Sequence, residues 1–286
     1  MANPGRALDW DKEDELLDAR YDAPPPPPVY ESVNGARELV PTEGPRREFT
    51  DRVTSRDEFE RTPEEYRELL TRVLRIQADC EIGGPHLYVS NWVLTAPTAD
   101  DQWRMSRIAA EEIDHFRKMN RLLHLIGSSA DDRLWVDKEE RYVDAFKREM
   151  PSWADIAVFG LLIDRVGEYQ LQEFVDSSFE PLNKALPAIL AEEKGHVSFG
   201  HYKCRDLIDQ GRKDEVQAAI DRWYPEALDM FGSPSSKRDW KYIKWGLKRR
   251  TNEQARREYI AEAQPAILEL GLTVPDVEGK LRYAMS

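Results

Sequence analysis

Along most of this chain, apolar residues recur at steps of three and four, the period of a helix with one buried face. On a first stripe Leu70, Leu74, Gln77 and Glu81 fall in line. Thr62 can cap it, Pro63 fits a first helical turn, and Glu64 and Glu65 favour the positive end of the helix dipole. Gly83-Gly84-Pro85 then predicts an interruption just past Glu81, with continuation after a kink through Trp92 to Ala96-Pro97. A second helix, about 98–126, carries Met105, Ile108, Glu112, His115, Met119 and Leu122 on one stripe and closes at Gly127-Ser128-Ser129. A third, roughly 153–179, has Ala157, Leu161, Asp164, Glu168, Leu171 and Val175 in register and is expected to end at Pro181. A fourth is expected to start near 185–187 and carries Leu186, Ile189, Glu193, His196, Gly200 and Leu207. Two or three more helices are expected between Glu215 and Leu270. Strand-like alternation is nearly absent, so the pattern predicts an all-α bundle with additional C-terminal helices.

The first 55 residues read differently. Pro24 to Pro28 is a run of five prolines amid scattered charges, which prefers extended polyproline II and has no core-forming period. The expected organisation is a proline-rich, largely irregular extension over 1–55, a tail or a surface strap, followed by one helical domain over 56–286.

Composition narrows the function. At 286 residues the chain can bury a sizeable core, and its formal net charge of −13 argues against a nucleic-acid partner. No apolar run reaches membrane-span length, and the N-terminus lacks a secretory-signal profile. Only two cysteines occur, Cys80 and Cys204, which suits a reducing cytoplasm better than a disulfide framework.

The buried stripes carry the candidate chemistry. Glu112-Ile113-Asp114-His115 and Glu193-Lys194-Gly195-His196 both read E-x-x-H, so a carboxylate and an imidazole share a face on each of two helices. Both copies sit among apolar residues, where an unpartnered charge is expensive. Two such helices facing each other form the core of a carboxylate-bridged di-iron or di-manganese site, which needs one more acid from each of two further helices. Glu81 is that acid on the first stripe. On the third, Asp164 and Glu168 lie one turn apart on one face, and periodicity leaves the choice open. Glu111 and Glu192 each precede a motif glutamate, about 100° round the helix. They can reach across the bundle to a histidine ring N–H and fix its orientation. Carboxylate and imidazole ligands suit iron or manganese rather than a closed zinc site. Such a pair binds dioxygen and needs two external reducing equivalents.

With these residues placed, the chain resembles the catalytic subunits of ring-1,2-phenylacetyl-CoA epoxidase and, more distantly, the benzoyl-CoA epoxidase oxygenase. The resemblance runs from about residue 50 to the C-terminus. It rests on Glu81-Ile82-Gly83, the stretch Asn91 to Thr98, Glu111 to His115, Asp155-Ile156-Ala157 leading to Asp164, Glu192 to His196, and Arg222 to Gly232. It implies a ferritin-like fold and a non-haem di-iron monooxygenase whose ligands are Glu81, Glu112, His115, Asp164, Glu193 and His196, favouring Asp164 over Glu168. It further implies oxygen-atom transfer from dioxygen to the aromatic ring of a CoA thioester, with a separate reductase and a sister subunit; a homo-oligomer is the other assembly expected. The proline-rich extension and the pair Arg165 and Glu168 depart from the family pattern. A polar pocket there suits a smaller or nitrogen-containing substrate of a biosynthetic pathway. The alternatives are therefore an N-oxygenase acting on an amine or hydroxylamine, and a non-catalytic structural subunit. Both intact E-x-x-H motifs speak against the last of these.

Overall fold

The computed structural model describes residues 47–234 and 236–284; the proline run at 24–28 lies outside them. Ser55 caps α1 (Arg56–Arg61) by accepting from the Glu58 amide. The long α2 (Glu64–Tyr88) passes directly into a π-helical turn, Val89–Val93. Thr98 caps α3 (Ala99–Leu125) through the Asp101 amide. After short 3-10 turns, a Ser152–Asp155 capping box opens α4 (Trp153–Phe159), which widens into a second π turn, Gly160–Asp164, and continues as α5 (Arg165–Gln172). Next come α6 (Glu180–Asp209), α7 (Lys213–Asp229), α8 (Lys237–Lys244) and α9 (Asn252–Glu269). Among the described residues the β structure is one isolated bridge, Val53 to Phe179. The expected all-α bundle is what forms, with α7 to α9 as the additional C-terminal helices.

Three expected boundaries move. Gly83-Gly84-Pro85 does not interrupt α2. A Cβ on Gly83 would stand 2.8 Å from the Phe146 ring, so this glycine makes room for a packed neighbour within an unbroken helix. Pro181 starts α6 where it was expected to end the preceding helix, because the first helical turn needs no N–H from it. The third helix accordingly stops at Gln172, and the fourth begins several residues earlier than its apolar stripe suggests.

α2 packs along α3, and α6 packs against α4, the second π turn and α5, while α3 and α6 also touch. These are the four walls of the bundle. Its apolar interior falls into two clusters, one around Met105, Ile108, Leu161 and Trp223, the other around Leu70, Leu74, Met119 and Ile189. Cys80 belongs to the first and Ile82 to the second, so Glu81 sits where they meet. Ile108 and Phe116 bracket Glu112 and His115 in the same way.

Outer elements brace this frame. The buried Asp155 accepts from the Arg222 guanidinium (2.8 Å) and the Trp223 indole (3.0 Å), tying α7 to the start of α4. Residues 47–55 are irregular but docked: the Glu48 amide donates to the Lys244 carbonyl, the Val53 amide to that of Ser178, and Phe49 packs on Tyr66 and Trp245. No described helix is long and apolar enough to cross a membrane.

Candidate metal centre

α2 contributes Glu81, α3 contributes Glu112 and His115, and α6 contributes Glu193 and His196, all buried and facing one another. Ligand atoms of Glu81, Glu112, His115 and Glu193 lie within 4.8 Å of one another. Nδ1 of His115 is 3.4 Å from Glu81 and 3.3 Å from Glu193 Oε1. Nδ1 of His196 is 3.0 Å from Glu112 and 3.6 Å from Glu193 Oε2. Glu193 thus spans the two rings, one oxygen toward each, and the ring centroids are 6.1 Å apart.

The outer ring nitrogens are engaged from the opposite helix. Nε2 of His115 donates to Glu192 at 2.7 Å, and Nε2 of His196 donates to Glu111 at 2.9 Å. The two acids that precede the motif glutamates therefore cross over, each to the other motif's histidine. With Nε2 engaged outward, Nδ1 of each ring points into the cluster, where it would offer its lone pair to a metal once its proton is displaced. Both Nδ1 atoms are buried and have no hydrogen-bond partner among the described residues. Gln77 adds a further hold, donating to Glu81 Oε1 at 2.6 Å.

So many carboxylates in a dry space perturb one another. Burial and the neighbouring Glu193 push the Glu112 carboxyl well above its ordinary range. Burial acts on Glu193 in the same direction, but the adjacent rings of His115 and His196 outweigh it and hold its carboxyl down at about 2. Burial alone would lower His115; the Glu192 hydrogen bond and the close carboxylates of Glu193 and Glu81 overcome it and raise the ring to about 12. Without a metal, the protein keeps its centre neutralised by protons on the rings.

Asp164 and Glu168 separate in their surroundings. Asp164 closes the second π turn; burial raises it to about 7, and the charges it senses are His196, Glu193, Glu81 and His115. Glu168, also raised by burial, senses Lys194 and Arg165 first and accepts from Gln172 at 3.2 Å. Arg165 donates to the Leu161 carbonyl and lies 3.4 Å from Glu262. α5 passes close to the cluster at Gly167: a Cβ there would be 3.7 Å from Glu193 Oε2. A cavity of about 870 Å³ against α2, Tyr142 and Arg282 is lined by none of the cluster residues.

Sequence reasoning missed Tyr88. It follows Glu81 by two helical turns, and its hydroxyl is buried without a partner among the described residues. Its i+7 spacing from Glu81 was the available signal, obscured by the expectation that Gly83-Gly84-Pro85 interrupts and kinks the helix.

A helical bundle closed around buried carboxylates and imidazoles, each imidazole steered by a crossing acid, is a ferritin-like bundle with a cluster able to hold metal, and its relatives make it an oxidoreductase of the monooxygenase class that uses a metal and dioxygen. The chain belongs to the phenylacetic acid catabolic protein family, whose model matches residues 53–284. It is 30% identical over 223 residues to the A component of the 1,2-phenylacetyl-CoA epoxidase of Escherichia coli (strain K12), covering 75% of this chain and 71% of that protein. It is 26% identical over 246 residues to benzoyl-CoA oxygenase component B of Aromatoleum evansii, covering 76% of this chain and 52% of that protein. The chain thus spans about half the length of the second relative.

Proposed function

We propose that Glu81, Glu112, His115, Asp164, Glu193 and His196 hold two iron ions, and that the protein inserts one oxygen atom from dioxygen into a carbon centre of an aromatic acyl thioester. The observation that carries this is the pair of buried Nδ1 atoms, unpartnered among the described residues and ringed by carboxylates. Buried polar atoms without partners are rare in folded proteins, and a metal ion is the partner that a nitrogen lone pair among carboxylates fits. Nitrogen and oxygen donors in this number suit iron. When bound, the iron pair supplies the electrons' route to dioxygen and its activation.

The protein's own groups do the rest. Glu193 ties the two halves of the centre together, Glu111 and Glu192 fix the ring tautomers, and the surrounding apolar clusters keep water out. The balance requires two electrons and two protons: one oxygen atom enters the substrate and the other leaves as water. A separate reductase supplies the electrons.

The relatives' names, phenylacetyl-CoA epoxidase and benzoyl-CoA oxygenase, support the thioester class. Each relative is named as one lettered part of a larger enzyme, which supports a multi-component assembly. Arg165 and Glu168 are engaged by Glu262 and Gln172, which weakens the case for a polar pocket suited to a nitrogen-containing substrate. Both cysteines are buried and free, in keeping with a cytoplasmic location. The test is single turnover of iron-loaded, chemically reduced protein under ¹⁸O₂ with phenylacetyl-CoA and benzoyl-CoA. One labelled oxygen on ring carbon is expected; turnover that labels no carbon overturns the reading.

A further inference from the structure

Tyr88 has no role in holding the cluster together, yet its position is specific. It is 3% exposed, and among the described residues its hydroxyl has no hydrogen-bond partner. A Cβ built on Gly84 would lie 3.4 Å from the ring carbon Cε1 and 3.9 Å from the hydroxyl oxygen. The side chain therefore runs back along α2 over Gly84, toward Glu81, the direction helical side chains take. Its ring centroid lies 6.4 Å from that of Phe159, the residue immediately before the π turn that carries Asp164. The phenol is thus packed between Gly84, on the helix of Glu81, and Phe159, which leads into the turn of Asp164. Burial, then the charges of Glu112, Asp164, Glu193 and Glu81, raise its ionisation far above the ordinary range, so the hydroxyl keeps its proton.

A buried phenol normally finds a partner, because leaving it unsatisfied costs about 1–3 kcal/mol. We propose that Tyr88 is a further catalytic residue, whose hydroxyl donates a hydrogen bond to the small anionic ligand held at the metal centre. Gly84 leaves the ring its space, and Phe159 keeps it from swinging away. The helix that carries Glu81 therefore serves the centre twice, once as a carboxylate and, two turns on, as a neutral donor. Donors pre-aimed at a site of developing negative charge are effective because nothing must reorganise when the charge appears. The inference rests on the metal-binding reading above but concerns a different group.

The test compares wild type with Tyr88→Phe, both loaded anaerobically with Fe(II), oxidised, and titrated with azide followed by its charge-transfer band. Equal iron content and an azide affinity about tenfold weaker in the variant are expected for the loss of one hydrogen bond to a charged ligand. Metal-free Tyr88→Phe should melt no lower than metal-free wild type, since the deleted hydroxyl was unsatisfied. Unchanged azide affinity overturns the proposal. So does reduced iron content, which would make the hydroxyl part of the ligand set, or a lower melting temperature, which would make it structural. Wild type that takes up no iron overturns both this proposal and the function it rests on.

Discussion

Glu192 on α6 accepts the Nε2 proton of His115 on α3 at 2.7 Å, and the reciprocal bond, His196 to Glu111, is 2.9 Å. Each E-x-x-H helix thereby orients the other helix's imidazole. The arrangement couples bundle packing to site geometry: sliding α3 past α6 would misalign both rings at once. Glu192→Ala and Glu111→Ala are each expected to weaken iron binding about 10- to 100-fold. Anaerobic competition against a chelator measures this, and the half-buried positions of both acids should leave the helical circular dichroism unchanged.

Asp164 and Glu168 are one turn apart yet sit in different electrostatic surroundings, the first with the cluster and the second with Lys194 and Arg165. Asp164→Ala is therefore expected to lower bound iron, whereas Glu168→Ala should keep the wild-type content. Metal analysis after desalting distinguishes them. A reversal of the two results would move the ligand to Glu168.

Protons hold the place of metal in the unloaded centre. His115 is raised to about 12, with burial outweighed by Glu192, Glu193 and Glu81, and burial raises Asp164 to about 7. Near neutral pH both rings are charged, since His196 is raised by Glu111 and Glu112 against its own burial. Iron must displace these protons, so apparent affinity rises with pH, about tenfold per unit for each proton released. Chelator competition between about pH 6 and 8 should show this slope, and paired calorimetry in buffers of different ionisation enthalpy should show the released protons. An affinity flat across that window would contradict the assigned protonation.

Gly200 lets α6 touch the second π turn. A Cβ there would stand 2.3 Å from the Leu161 nitrogen, 2.5 Å from the Gly160 carbonyl carbon and 2.8 Å from the Ala157 oxygen. These are backbone atoms and cannot swing aside. Gly200→Ala is expected to destabilise the protein by about 1–3 kcal/mol and to lower iron content by displacing Asp164. Denaturant midpoints and metal analysis read the two effects.

Much of the site was legible because its residues ride on apolar stripes. Glu112 and His115 follow Ile108, and Glu193 and His196 follow Ile189, so one helical period locates both pairs. The cross-over by Glu111 and Glu192 was also within reach, since an i−1 neighbour points sideways to the next helix. Other features depend on tertiary contacts that periodicity does not carry. Gly83 looks like a breaker until Phe146 is seen against it, and Pro181 reads as a stop although a helix can begin there. The π turn at Gly160–Asp164 shifts helical phase, so a continuous α-period could not choose between Asp164 and Glu168. π turns of this kind are common at functional sites. The proline run at 24–28 lies outside the described residues and keeps only its sequence reading.

The central claim is a two-ion centre built from the facing motifs. Its most direct measurement is iron content with Mössbauer spectroscopy of anaerobically loaded, then oxidised, protein, beside Glu193→Ala. Two irons per chain in an antiferromagnetically coupled pair are expected for wild type, and loss of the coupled signal in Glu193→Ala, because that carboxylate turns one oxygen toward each ring. One uncoupled iron in wild type, or an intact coupled pair in Glu193→Ala, would contradict the account.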